Sequence, residues 1–167
     1  MKTQILTILL LVVLISCNCR QTNKIERKGE PTIYSVQDND KEMNQAIGKA
    51  NQTLDNFRIA LQSNNLNFKY FALKIKLKNT KGVEHIWVSK VTLKDNKFFG
   101  VIDNLPESTL EIKIGDTIKI DNDKISDWMY IEKGKLRGGY TIRLFRKRMT
   151  EIEQKQFDKE NNIIIED

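Results

Sequence analysis

The stretch Phe71-Ala72-Leu73-Lys74-Ile75-Lys76-Leu77-Lys78 decides the fold, because large apolar side chains alternate in it with Ala72 and three lysines. Successive side chains of a β-strand point to opposite faces, so this period of two predicts a half-buried strand with one lysine-rich face. Two further strands are predicted over about 83–93 and 98–102, joined by the turn Lys94-Asp95-Asn96-Lys97. The three strands together predict an antiparallel meander.

The segment before this strand has the period of a helix. Its apolar residues are spaced alternately by four and three positions: Met43, Ile47, Ala50, Leu54, Phe57 and Leu61. That spacing puts them on one stripe and predicts a single core-facing helix over 41–62. Asp40 is the predicted N-cap, and Asn64-Asn65 ends the helix.

The second half of the domain reads as short strands followed by helices. A short strand is predicted around 118–120, and Glu132-Lys133-Gly134-Lys135 predicts the turn of a hairpin. The pattern becomes helical after Gly138-Gly139, and Thr150 with Glu153 forms a capping box for a last helix over 151–159. Residues 163–165 are predicted to be an edge strand or an ordered tail. We therefore expect an α+β fold: one curved antiparallel sheet of about five or six strands, with an N-terminal helix and C-terminal helices packed on it.

The N-terminus has the pattern of an exported lipoprotein. Lys2 is followed by an apolar run over 5–15, then by the small residue Ser16 and by Cys17. The run is too short to span a bilayer as a helix, and its flanks are those of a signal peptide. We expect a signal peptide at 1–16, lipid attachment at Cys17, a flexible tether to residue 40 and a single domain at 41–167. The alternative is an ordinary secretory signal with a chance cysteine.

Charge and cysteine content restrict the classes of function. The chain has 167 residues, a net charge of +6 and two cysteines. With Cys17 lipidated, only Cys19 remains, so neither a disulfide framework nor a cysteine metal site is expected, and we predict no cofactor and no metal. Export from the cytoplasm argues against nucleic acid as a partner. The basic residues between Arg137 and Arg148 predict a solvated face, or a surface for anionic lipid or an acidic partner.

The only histidine, His85, is the first candidate for chemistry. A lone histidine does not make a multi-histidine metal site. It would serve as a general base if a carboxylate such as Asp127 oriented it, and the alternative is a histidine hydrogen-bonded for structure. Trp87 shares its strand face, and Trp128 and Tyr130 share a face of a later strand. Aromatic side chains with one polar tip suit a binding groove, and they suit a core equally well.

Two glycine- or proline-containing turns complete the candidates. Gly138-Gly139 leaves backbone amides open to an anion at a helix start, although close packing explains the pair equally well. Asn104 with Pro106 favours a fixed turn. The candidate binding residues are His85, Trp87, Asn104, Asp127, Trp128, Tyr130, Tyr140 and Arg143.

Several separate motifs resemble one known family in the right order. They are Met43 with Ala46-Ile47, Thr53-Leu54 with Phe57, Glu84-His85-Ile86-Trp87-Val88, Gly100-Val101-Ile102-Asp103-Asn104 with Pro106, Ile125-Ser126-Asp127-Trp128-Met129-Tyr130, and Gly138-Gly139-Tyr140-Thr141-Ile142-Arg143. The chain over about 43–158 thereby resembles the YegJ-like bacterial domain of unknown function, family 2314. The resemblance implies a single compact domain, and it implies no catalytic residue.

These patterns favour a non-catalytic binding module in the cell envelope. It is expected to be a monomer that is attached to a bacterial membrane through its lipid, and to bind an unknown protein or envelope ligand on the periplasmic or cell-surface side. The predicted binding face consists of His85, Trp87, Trp128 and Tyr130, edged by Arg143. The alternatives are an envelope hydrolase using His85 with Asp127, and an immunity-type protein that neutralises a toxin.

Overall fold

The computed structural model describes residues 23–25, 33–35, 40–79, 82–103 and 112–166, in two compact units over 1–37 and 38–167. In the first unit, β1 (Asn23–Ile25) pairs with β2 (Ile33–Ser35) in antiparallel register. These strands lie within the segment where the sequence predicts a flexible tether. The predicted signal peptide, Cys17 and Asn104 lie outside the described residues.

The second unit is an α+β domain around one sheet, as predicted. Its elements are α1 (Lys41–Gln52), α2 (Leu54–Gln62), β3 (Phe68–Asn79), β4 (Gly82–Lys94), β5 (Lys97–Ile102), β6 (Thr117–Ile120), β7 (Ile125–Glu132), β8 (Lys135–Gly138), α3 (Tyr140–Arg148) and α4 (Glu151–Asn161). The six strands are all antiparallel, in the order β6-β5-β4-β3-β7-β8. The predicted meander is therefore confirmed as β3, β4 and β5.

Different helices pack on the two faces of this sheet. The inner face carries the main core, where Phe57 of α2 contacts Phe98 and Trp128 edge-on or tilted at 5.8 Å between ring centroids. The outer face carries the alternate side chains, including Lys74. There, Ile131 and Leu136 pack with Ile165 and with apolar residues of α3 and α4. The lysine-rich side of β3 thus belongs to the outer face.

The predicted helix over 41–62 is two helices that meet at Thr53. The Thr53 hydroxyl donates back to the carbonyl of Lys49 at 2.8 Å, and the indole of Trp128 donates to the carbonyl of Ala50 at 3.0 Å. Hydroxyl bonds of this kind bend helices. The indole of Trp128, 78 positions after Ala50 in the sequence, contacts the chain at this break. The helical pattern of the sequence continues through Thr53, but the helix does not.

Local signals at the helix ends are confirmed. The carboxylate of Asp40 accepts a hydrogen bond from the amide of Met43 and so caps α1. Thr150 and Glu153 form the complete capping box of α4. The tail after α4 meets β8 through one bridge: Ile164 donates to the carbonyl of Gly134 at 2.8 Å, and Leu136 donates to the carbonyl of Ile164 at 2.9 Å.

No helix in the described part of the chain is long and apolar enough to cross a membrane.

Candidate functional site

The outer face of β3 and β4 brings cations next to the histidine and a tryptophan. Residues directly opposite in an antiparallel pair share one face. Lys74 lies opposite Trp87 on β4, and Lys76 lies opposite His85. On the other side of β3, Lys74 lies opposite Asp127 of β7. Trp87 and His85 are both half-buried, so neither residue is closed off from solvent.

Lys74 is held under α3 rather than extended into solvent. Its Nζ lies 5.7 Å from the ring centroid of Trp87 and 5.5 Å from that of Phe145, which are distances for cation–π contacts. The same nitrogen donates to the hydroxyl of Thr141 at 3.3 Å. Burial lowers the pKa of Lys74, and the nearby charge of Asp127 opposes that effect. Lys74 therefore joins the sheet to α3.

Asp127 caps α3 from a neighbouring strand. Its carboxylate is fully buried and accepts hydrogen bonds from the amides of Trp128 (2.8 Å), Tyr140 (3.1 Å) and Thr141 (2.8 Å), and from the hydroxyl of Thr141 (2.7 Å). Gly139 stands at the N-cap and has no side chain for this purpose. Burial raises the pKa of Asp127, whereas the hydrogen bonds from Thr141 and Trp128 oppose the shift. The helix amides that the sequence offered to an anion are thus used by Asp127.

His85 is bonded to Ser126, the extra residue where the register of β7 against β3 shifts between Lys74 and Ile75. Its Nδ1 lies 2.8 Å from the hydroxyl of Ser126, which also lies 3.2 Å from the carbonyl of Lys74. Because a carbonyl only accepts, both contacts are satisfied when Ser126 donates to that carbonyl and His85 donates to Ser126. A histidine in this role does not activate the serine, and Ser126 is fully buried.

The predicted face of four residues is divided between the two sides of the sheet. Trp128 lies opposite Leu73 on the inner face and is only 4% exposed. Tyr130 stacks on it at 6.1 Å between ring centroids. His85 and Trp87 lie on the outer face. The expectation that all four residues line one groove is therefore wrong, because strand parity separates the pairs.

Tyr140 and Arg143 have structural partners. The ring of Tyr140 meets Trp128 edge-on at 5.8 Å, and its hydroxyl is hydrogen-bonded to the hydroxyl of Thr53 at 3.0 Å. Arg143 donates to the carbonyls of Gly138 (2.9 Å) and Leu136 (2.7 Å), and also to the carbonyl of Glu166. Both residues hold α3 against its neighbours, so Arg143 does not edge the predicted groove.

Comparison with known proteins places the chain in a family. The family model described as "Uncharacterized protein conserved in bacteria (DUF2314)" matches residues 40–163. The chain belongs to the DUF2314 family. The elements from α1 to α4 fall within the matched range, so the fold described above is that of a DUF2314 domain.

Two curated relatives of this DUF2314 protein are similar over part of their length. An "Uncharacterized protein YegJ" of Escherichia coli is 36% identical over 100 residues, which are 60% of this chain and 64% of the relative. A "Putative ankyrin repeat protein" of Neisseria meningitidis serogroup B is 28% identical over 140 residues, which are 78% of this chain and 54% of the relative. The chain thus spans between about half and two thirds of these relatives. No solved structure matches it.

Of the four groups that surround Lys74, sequence reasoning singled out Trp87 and Asp127 and missed Thr141 and Phe145. Nothing in the alternation of β3 distinguishes Lys74 from Lys76. The register shift at Ser126 has no local signal, because it depends on how β7 pairs with β3. Among the described residues, no group of three or more histidine, cysteine or acidic side chains is arranged to hold a metal ion.

Proposed function

We propose that this DUF2314 protein is a non-catalytic binding module of the bacterial cell envelope, anchored by lipid on Cys17, which contacts its partner through the outer face around Trp87 and His85. The proposal depends mainly on one observation: the half-buried pair Trp87 and His85 lies on a sheet face where the neighbouring Lys78 and Val83 are exposed. A tryptophan beside a histidine offers apolar area together with hydrogen-bonding groups, as binding surfaces do.

The geometry around Asp127 favours binding over catalysis. A general base needs an orienting carboxylate with an acceptor to spare. Each carboxylate oxygen of Asp127 already accepts two hydrogen bonds from β7 or α3. Ser126, which is bonded to His85, is closed to a substrate by burial.

A photo-cross-linking amino acid at position 87 tests the binding face. We expect an adduct in cells that carry the cross-linker at position 87. As a matched control, the same cross-linker replaces Ile152, which is 79% exposed on α4, and it should give none. Absence of an adduct at position 87, or equal adducts at both positions, would refute the assignment of this face.

The anchor is tested by Cys17→Ser with Cys19→Ser as its control. We expect the first variant to move from the membrane pellet to the soluble fraction and to lose incorporation of radiolabelled palmitate. The second should behave as the native chain does. Unchanged distribution of Cys17→Ser would show that the lipid is not at this residue.

A further inference from the structure

The arginines of α3 are already paired within the fold. Arg146 forms a two-bond pair with Asp158 at 2.8 Å, and Arg148 forms another with Asp40 at 2.6 and 2.8 Å. The guanidinium of Arg143 donates hydrogen bonds to backbone carbonyls. These arginines therefore do not supply a free anion-binding surface, although their clustering in the sequence pointed to one.

Two lysines of β3 differ from these arginines in having no acidic partner among the described residues. Of these two, Lys76 is half-buried and Lys78 is exposed. The register from 73 to 79 is uninterrupted, so both side chains share the outer face. Glu84, the nearest acid on β4, lies opposite Leu77 and belongs to the inner face.

Apolar groups lie between and beside these cations. Trp87 is two positions from His85 along the outer face, and Val83, which lies opposite Lys78, is 46% exposed. The outer face therefore presents ammonium groups next to an indole and an aliphatic side chain. This is the composition of a membrane–water interface, where tryptophan sits at the headgroup level and lysine reaches the phosphates.

We propose, on the basis of the binding role proposed above, that the outer face docks on an anionic phospholipid surface through Lys76, Lys78 and Trp87. Lysines near an anionic bilayer each add to the attraction, and a compact ammonium serves as a point charge for phosphate. An acidic protein would instead favour the bidentate geometry of arginine, and the arginines of α3 are paired internally. A lipid on Cys17 would hold the domain close to such a surface.

Trp87 is the natural reporter for this contact. The chain has two tryptophans, and Trp128 is buried with its indole bonded to α1. The full chain is reconstituted with brominated phosphatidylcholine vesicles, either alone or containing phosphatidylglycerol, and tryptophan emission is recorded. We expect quenching only with phosphatidylglycerol, reversal at high ionic strength, and no quenching in W87F.

Charge-matched variants test the role of the lysines. K76A/K78A removes the two proposed contacts and should lower the docking equilibrium constant about 25-fold, since each lysine contributes about fivefold near an anionic surface. K155A/K159A removes the same charge from exposed positions on α4 and should leave docking unchanged. Equal effects of the two variants, or equal quenching with both lipids, would overturn the proposal.

The outcome also separates this inference from the proposed function. Protein adducts at position 87 without lipid-dependent quenching would mean that the face binds an acidic protein, so the lipid inference fails while the binding function stands. Absence of both adducts and quenching would refute both proposals.

Discussion

Asp127→Ala tests whether the aspartate of the motif Ile125-Ser126-Asp127-Trp128 is a structural cap. The variant removes the acceptor of three backbone amides and of the Thr141 hydroxyl, all within 3.1 Å. It also removes the carboxylate that balances the charge of Lys74. The change is therefore expected to loosen the start of α3 and its attachment to the sheet.

The cost follows from these contacts. A buried amide left without its acceptor costs about 1–3 kcal/mol, and breaking one side of a buried charge pair costs about 3–5 kcal/mol. The contributions overlap, so we expect the free energy of unfolding to fall by about 4 kcal/mol. Asp127→Asn retains one acceptor oxygen and should cost about 2 kcal/mol.

Equilibrium urea unfolding followed by far-ultraviolet circular dichroism measures this change. Asp123→Ala is the control, since Asp123 is an exposed acid on the turn before β7 and its removal should change stability by less than about 0.5 kcal/mol. In K74M/D127N both charges are removed, and the cost should be smaller than the sum of the single variants. A loss below about 1 kcal/mol for Asp127→Ala would refute the capping role.

Three further predictions concern stability. The guanidinium of Arg148 lowers the pKa of Asp40 to about 2 from its ordinary value of 3.8. The pair therefore stabilises the fold above the ordinary pKa, and this benefit is lost as the pH falls through the lowered pKa. D40N keeps the N-cap and should cost about 1 kcal/mol at neutral pH after solvent screening, and almost nothing at a pH below the lowered pKa, in thermal denaturation. Trp128→Phe leaves a carbonyl of α1 without its indole donor and should cost about 2–3 kcal/mol by urea unfolding; an unchanged midpoint would contradict its place in the core. Gly138→Ala puts a Cβ 2.2 Å from the carbonyl oxygen of Trp128, at a residue whose φ is +68°, and should lower the free energy of unfolding by more than about 3 kcal/mol. Gly48→Ala has open space around it and should raise the free energy of unfolding by about 0.5–1 kcal/mol in thermal denaturation. Equal effects of the two variants would contradict the steric argument.

Much of the fold was predictable because its signals are local. The alternation in β3 reflects one buried and one solvent-facing side, and the meander follows from short turns between such strands. Asp95 and Asn96 take up positive φ in the tight turn between β4 and β5, as the sequence of that turn predicts. The capping box of Thr150 is likewise complete within four residues.

The candidate site was less predictable because it depends on pairing between distant elements. Trp128 and Tyr130 were correctly placed on one side of a strand, but the sequence does not say that this side faces α1 and not solvent. The side is set by the register of β7 against β3, in which Trp128 lies opposite Leu73. Asp127 caps a helix that begins 13 residues later, which no spacing rule for N-caps describes.

The tail beside β8 has a consequence for self-association. Unpaired strand edges are templates on which further chains add. Here one edge of the sheet is β6, only four residues long, and the other is bridged by Ile164 and braced by a salt bridge between Glu166 and Lys135 at 2.5 Å. Both edges of this sheet therefore disfavour the addition of a strand from a second copy of the chain.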